Sequence, residues 1–384
     1  MWSTFSVDSA GKPTGAKPFA SPNAARPFIA ESKKFEKVLG SNPTLEVVAQ
    51  ASTAQFHEAG VYIPGTNEVF FTSNRADAPS GQPYPFYGNF SKISLTPDSS
   101  GKYSWEVLKP PSPSFVLPNG GTIYNDKVLM AIQGYQLNVA SSLIAVDPKT
   151  LEATVLLNNF YGRPFNSIND VAVLMKSGGE KMDLQRQWIF FTDPPYGYYQ
   201  GFKPYPRLPA QVYAFHPPSG TIRVVADGFQ RPNGVAFSPD MKTCYITDTG
   251  FASAEKDDPH PLDGSRPGTI YAYDVMHGSG SDPANSPPSL TNRRVFAVTD
   301  SGLPDGVKCD TEGNVYAGCS DGVHVWNKKG ALLGKVLIGL DISDESKRGA
   351  GGCANLVFVP GGLLVFAEQR MYLAKIKAKG ALLP

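Results

Sequence analysis

The sequence carries no surplus of charge: 35 basic residues stand against 34 acidic ones, a formal net charge of +1 over 384 residues. That balance removes the electrostatic reason to bind nucleic acid or an anionic membrane surface, and it points to a small or neutral partner. Long apolar runs are missing as well. No stretch approaches the roughly 18 residues that span a bilayer, and the Met-Trp-Ser-Thr start has neither a basic flank nor an apolar h-region. The chain therefore reads as soluble, with secreted and cytoplasmic locations both left open. Cysteine is sparse: Cys244, Cys309, Cys319 and Cys353 form no CxxC pair and have no histidine nearby, which argues against a zinc site. Free buried thiols are expected, since an unpaired Cys behaves as a small core hydrophobe, and two disulfides are the alternative. No Ser-His-Asp signature and no G-x-S-x-G elbow occurs, which argues against a covalent serine route.

Glycine and proline, by contrast, are plentiful, and they fall mostly between short apolar runs, where a turn-rich β protein places them. One design recurs six times: a polar residue, an apolar run, a turn, and a second apolar run ending in polar residues. The copies start at Glu58, Asn119, Asn169, Asn233, Asp305 and Asn355, as in NGVAFSPDMKTCYITDTG and DGVKCDTEGNVYAGCSDG. Starts roughly 50 to 70 residues apart fit one four-stranded blade per copy. The expected fold is all-β, a six-bladed β-propeller forming a single domain over residues 1–384. After the sixth copy only Met371 to Ile376 remains, one strand short of a blade, while Leu45 to Gln50 precedes the first copy unassigned. Residues 45–50 are thus expected to close the last blade, with residues 1–44 as an extension packing on or near the ring. Closure of this kind removes the free sheet edges.

In such a ring the six leading polar residues converge on one axis. Two are carboxylates and four are amides, costly to bury unless paired, hydrated or bound to metal. Without sulfur or imidazole the set offers only hard oxygen donors, and two negative charges suit Ca²⁺, or less well Mg²⁺. A turn role would explain Asn119-Gly120, Asn233-Gly234 and Asp305-Gly306, but it does not explain Glu58. The long loops Arg75 to Gly88, Pro194 to Ala210 and Phe251 to Gly268 share the face of these residues. Long loops on one face of a rigid ring mark a binding site. From them Tyr196 and Tyr199 are candidate substrate contacts, as are Asn119 and Asn166. His57, beside Glu58, is a candidate proton shuttle, although strand alternation would point neighbouring side chains apart. His216, His260, His277 and His324 are read as structural, and Asp193 and Asp248 as turn caps.

These residues also carry a resemblance over nearly the whole chain. FHEAGVY, PNGGTIY, YGRPFNSINDVAV, RPNGVAFSPD with YITDTG, and LPDGVKCDTEGNVYAGCSDGVHVWN resemble, in order and spacing, the SMP-30/gluconolactonase family, most closely its fungal lactonohydrolase branch. The resemblance implies a six-bladed propeller with a calcium ion in its channel that hydrolyses lactones. It places the metal ligands on Glu58, Asn169, Asn233 and Asp305, with Asp305 also activating the water. The expected substrate is a small hydroxylated lactone of the aldonolactone or pantolactone type. The alternative is a non-hydrolytic, cyclase-like propeller that binds a bulky apolar substrate at the same mouth. A protein-binding propeller ranks last, since WD and kelch signatures are absent.

Overall fold

A computed structural model describes residues 6–7, 13–14, 27–175, 186–253, 262–278, 286–338 and 352–381. Six antiparallel sheets of at least four strands follow one another along the chain, each running outward from its first strand. They are the six blades. In the fourth, Pro232–Phe237 is innermost, followed by Thr243–Asp248, Thr269–Met276 and Ser289–Val298. The sixth contains Asn355–Val359, Gly362–Ala367 and Arg370–Lys375, and its outer strand is Thr44–Gln50 from the start of the chain. The expected closure by an N-terminal strand is thus observed.

Why the blades pack as a ring follows from the pattern of buried side chains. Each innermost and second strand is buried almost throughout, because both of its faces meet a neighbouring blade. Buried apolar residues accordingly gather into six clusters, one at each interface between consecutive blades. The interface between blades six and one, for example, packs Phe56, Phe71 and Ile93 on Leu364, Phe366 and Met371. Every full burial of such a side chain contributes about 1.5–3 kcal/mol, so the clusters supply the cohesion that turns cannot.

The extension does more than lie on the ring. Phe28–Ala30 pairs with Leu332–Leu337 as a fifth strand of blade five. The helix Lys33–Leu39 then drives Phe35, Val38 and Leu39 into the cluster between blades five and six. Ser32 caps its start by accepting from the Lys34 N–H, and Gly40, at φ +82°, ends it where an L side chain would be strained.

All four cysteines are free and buried, as expected. A thiol reagent should therefore titrate none of them in the native protein and all four after denaturation. Rapid native reaction of any one would overturn that assignment.

Candidate active site

At one end of the channel lies a cavity of about 470 Å³, lined among others by Glu58, Asn119, Asn169, Asn233 and Asp305, from five successive blades. Asn355 of blade six is not on this wall. Its Nδ2 instead donates to Glu58 Oε2 at 2.6 Å while its Oδ1 accepts from the Leu356 N–H, so it orients Glu58 from behind.

Local backbone irregularities aim these side chains. Register shifts interrupt the inner strand pairs between Ala59 and Val61, Pro118 and Gly121, and Pro232 and Val235, next to the polar residue of blades one, two and four. Bulges of this kind re-aim a side chain at a sheet's rim. Ala59 and Gly60 both take positive φ, and His57 lies just ahead of the strand Glu58–Ile63. Simple alternation therefore does not apply there, and His57 and Glu58 both line the cavity. The glycines after the polar residues serve close approach instead of turning the chain. A Cβ on Gly120 or Gly234 would stand 2.5 Å from the carbonyl oxygen of Asn169 or Asp305, and one on Gly306 would run into the Asn355 amide. These contacts narrow the channel to a waist beneath the cavity.

A second device fixes the ring. The hydroxyl ending the second strand of one blade donates to the backbone carbonyl of the next blade's axial residue: Thr72 to Asn119 (3.0 Å), Thr192 to Asn233 (2.7 Å) and Thr247 to Asp305 (2.9 Å). Asp193 accepts from the N–H groups of Asn166 and Ser167, and Asp248 from those of Gln230 and Arg231. Both carboxylates cap the loop leading to an axial asparagine, the role expected of them. Asp170 accepts from Val171 and, across the blade boundary, from Val235.

The electrostatics are governed by two adjacent carboxyl groups. Glu58, buried, and Asp305, half-buried, lie against one another. Burial, then the charge of Asp305, pushes the Glu58 carboxyl well above its usual range. Burial, helped by Glu368 and Asp170 and opposed by hydrogen bonds from Glu58 and Asn233, brings Asp305 up to about 7. The Oδ1 atoms of Asn119, Asn169, Asn233 and Asp305 are buried without a hydrogen-bond partner. Each such orphan costs about 1–3 kcal/mol unless a ligand satisfies it. Oxygen donors alone, beside two carboxylates, fit a hard divalent cation. Among the described residues one other group has the geometry to hold an ion: Asp300, Asp321 and His324. There the Lys335 ammonium already lies 2.6 Å from Asp300 and 3.3 Å from Asp321, and His324 Nε2 lies 2.6 Å from Asp321. The cluster supplies its own cation, the Lys335 ammonium.

The remaining candidates divide. Tyr196 lines the cavity; its hydroxyl is hydrogen-bonded to Thr249 and accepts from Asn233 Nδ2 at 3.3 Å, which leaves the Asn233 oxygen toward the axis. Tyr199 lies off the wall, beneath the Arg231 guanidinium at 4.8 Å. Asn166 is also off the wall: its Nδ2 donates to the carbonyls of Asp193, Leu208 and Pro209, anchoring the loop that carries Tyr196. Neither is placed to touch a substrate in the cavity. His216 bonds Ser219 and stacks on Trp188, His277 bonds the Met241 carbonyl, and His260 lies outside the described residues.

Two wall residues carried no flag in the sequence. Glu368 accepts from His57 Nδ1 at 2.7 Å, the two being joined across the ring's seam by the Phe56–Glu368 backbone bridge. Burial alone would lower the His57 pKa, but the Glu368 carboxylate outweighs it and raises the imidazole to about 9. Arg75 donates to Gln200 Oε1 at 3.3 Å and lies 4.4 Å over Phe86, placing a cation on the rim. The wall is mixed: amides, carboxylates and a guanidinium share it with Leu117, Pro118, Ala252 and Leu303.

Comparison with known proteins agrees with this fold. Residues 93–258 match the model of the SMP-30/gluconolactonase/LRE-like region. The lactonohydrolase oryL of Aspergillus oryzae is 31% identical over 326 residues, 82% of this chain and 67% of that protein. A gluconolactonase of Zymomonas mobilis is 27% identical over 79% of this chain and 75% of its own. Among solved structures, a gluconolactonase from Xanthomonas campestris superposes with a TM-score of 0.65 at 21% identity, covering 91% of this chain and 95% of that one. A calcium-binding protein, regucalcin, from Agrobacterium tumefaciens superposes with a TM-score of 0.56 at 16% identity, over 88% and 95%.

Proposed function

The chain belongs to the SMP-30/gluconolactonase/LRE-like family, and from that premise we propose that it is a divalent-cation-dependent lactonase acting on a small hydroxylated lactone. The observation that carries this reading is the ring of four orphaned amide and carboxylate oxygens beside Glu58. Glu58, Asn169, Asn233 and Asp305 would hold the ion, with Ca²⁺ the first choice for an all-oxygen set. When bound, the ion supplies carbonyl polarisation, charge for the developing oxyanion, and a bias of its carboxylates toward their ionised form.

The chain's own groups do the rest. The Asp305 carboxylate accepts the proton of the attacking water. His57, kept protonated at neutral pH by Glu368, returns a proton to the alkoxide released when the ring opens. Asn119 Oδ1, Arg75 and Gln200 present the acceptors and donors that ring hydroxyls require. Tyr196 and Thr249 keep the Asn233 amide from turning.

Metal content, thermal melting and a lactone panel test this together. The purified protein should hold one divalent ion, and chelation should abolish hydrolysis until Ca²⁺ is returned. Saturation at one hundred times Kd should stabilise the fold by about 2.7 kcal/mol, seen as a raised melting midpoint. Hydrolysis unchanged by chelation, or a protein that melts identically with and without the ion, would sink the reading.

A further inference from the structure

The other end of the channel holds a second cavity, larger and of opposite character. About 970 Å³ opens below the waist, walled by the far ends of the inner strands, including Val61, Val171, Val235 and Val357, and closed on one side by Ile376 and the segment after it. Its volume is that of a small-molecule site, and its wall is mainly aliphatic. The charged residues around it are Lys149, Lys308, Lys377 and Lys379 against Asp126 alone. Three of these lysines are exposed and carry little weight. Lys308 is different: it sits on the innermost strand Val307–Cys309, partly buried within the channel.

The Lys308 ammonium makes no hydrogen bond or ion pair among the described residues. Asp170, whose oxygens accept from the Val171 and Val235 N–H groups, feels its charge, but no ion pair joins the two among the described residues. An ammonium with free donors, half-buried beside apolar walls, is placed to take one anionic partner. From this we infer that the lower cavity binds a single-chain aliphatic carboxylate, its head on Lys308 and its tail along the valine wall. One ammonium matches one negative charge, and the aliphatic lining matches an alkyl chain. The site is separate from the mouth and does not depend on the lactonase reading.

Titration calorimetry of the full chain with sodium decanoate tests it. One molecule should bind per chain, and affinity should rise from butanoate to decanoate by up to about fourfold per methylene, the value of one buried CH₂. Decan-1-ol should bind at least tenfold more weakly than decanoate, a comparison that needs no variant. Lys308→Met should cost about 10-fold or more, the worth of a hydrogen bond to a charged group, whereas Lys149→Met should change affinity less than threefold. Asp305→Asn should leave decanoate binding unchanged. Absence of binding, equal affinity for acid and alcohol, full affinity in a folded Lys308→Met protein, or loss of binding in Asp305→Asn would each overturn the assignment.

Discussion

Replacing Asp305 by Asn should lower kcat/KM for the lactone by at least about 10³-fold, the combined scale of a lost general base and a lost electrostatic contact. The protein should remain folded. Asp305 lies against Glu58, Glu368 and Asp170 bear on its charge, and its own Oδ1 has no partner among the described residues to lose. Deleting that charge relieves like-charge repulsion in the ion-free protein, so its melting midpoint should hold or rise. The rise that Ca²⁺ gives the parent should disappear. An Asp305→Asn protein with near-parental turnover would remove the residue from the mechanism. One that retains the calcium-induced rise but loses turnover would restrict Asp305 to the water-activating role.

Removing residues 1–51 should abolish cooperative folding. Thr44–Gln50 pairs along its length with Arg370–Lys375, so truncation leaves blade six with three strands and an unpaired edge open to intermolecular pairing. Phe35, Val38 and Leu39 go with it, together with the fifth strand of blade five. At about 1.5–3 kcal/mol for each of those side chains the loss is about 5–9 kcal/mol, against a net stability of about 5–15 kcal/mol for a typical domain. The expected result is aggregation or a non-sigmoidal melt, with partial rescue by a separate peptide of residues 27–51. A truncated protein that melts cooperatively near the parental midpoint would show that the ring closes without its seam strand.

Much of the architecture is legible in the sequence because a propeller repeats its instructions. The apolar run, turn and second run mark each inner pair, and the strand missing after Met371 calls for the strand around Val47. The axial residues are legible for the same reason, since each opens a copy. What fails to show is whatever arises from contacts distant along the chain. His57 and Glu368 are 311 positions apart, and only the seam between blades six and one makes them neighbours. Arg75 reaches Gln200 across 125 positions between two mouth loops. Asn166 misleads because it lies three positions before Asn169, yet the chain turns between them and its amide faces the 194–210 loop. Tyr199 misleads because one short helix presents Tyr196 to the cavity and Tyr199 to Arg231. Phe28–Ala30 is too brief for its periodicity to register against a neighbouring turn.

The three threonine latches have a polarity. Thr72, Thr192 and Thr247 each reach forward, from the blade that carries them to the axial residue of the blade that follows. A local defect at such a joint is therefore passed on: loosening blade three disturbs its own Asn169 and, through Thr192, Asn233 of blade four. Error propagation at these three joints thus has a direction, and Asn119, Asn233 and Asp305 are each only as well placed as the blade behind them.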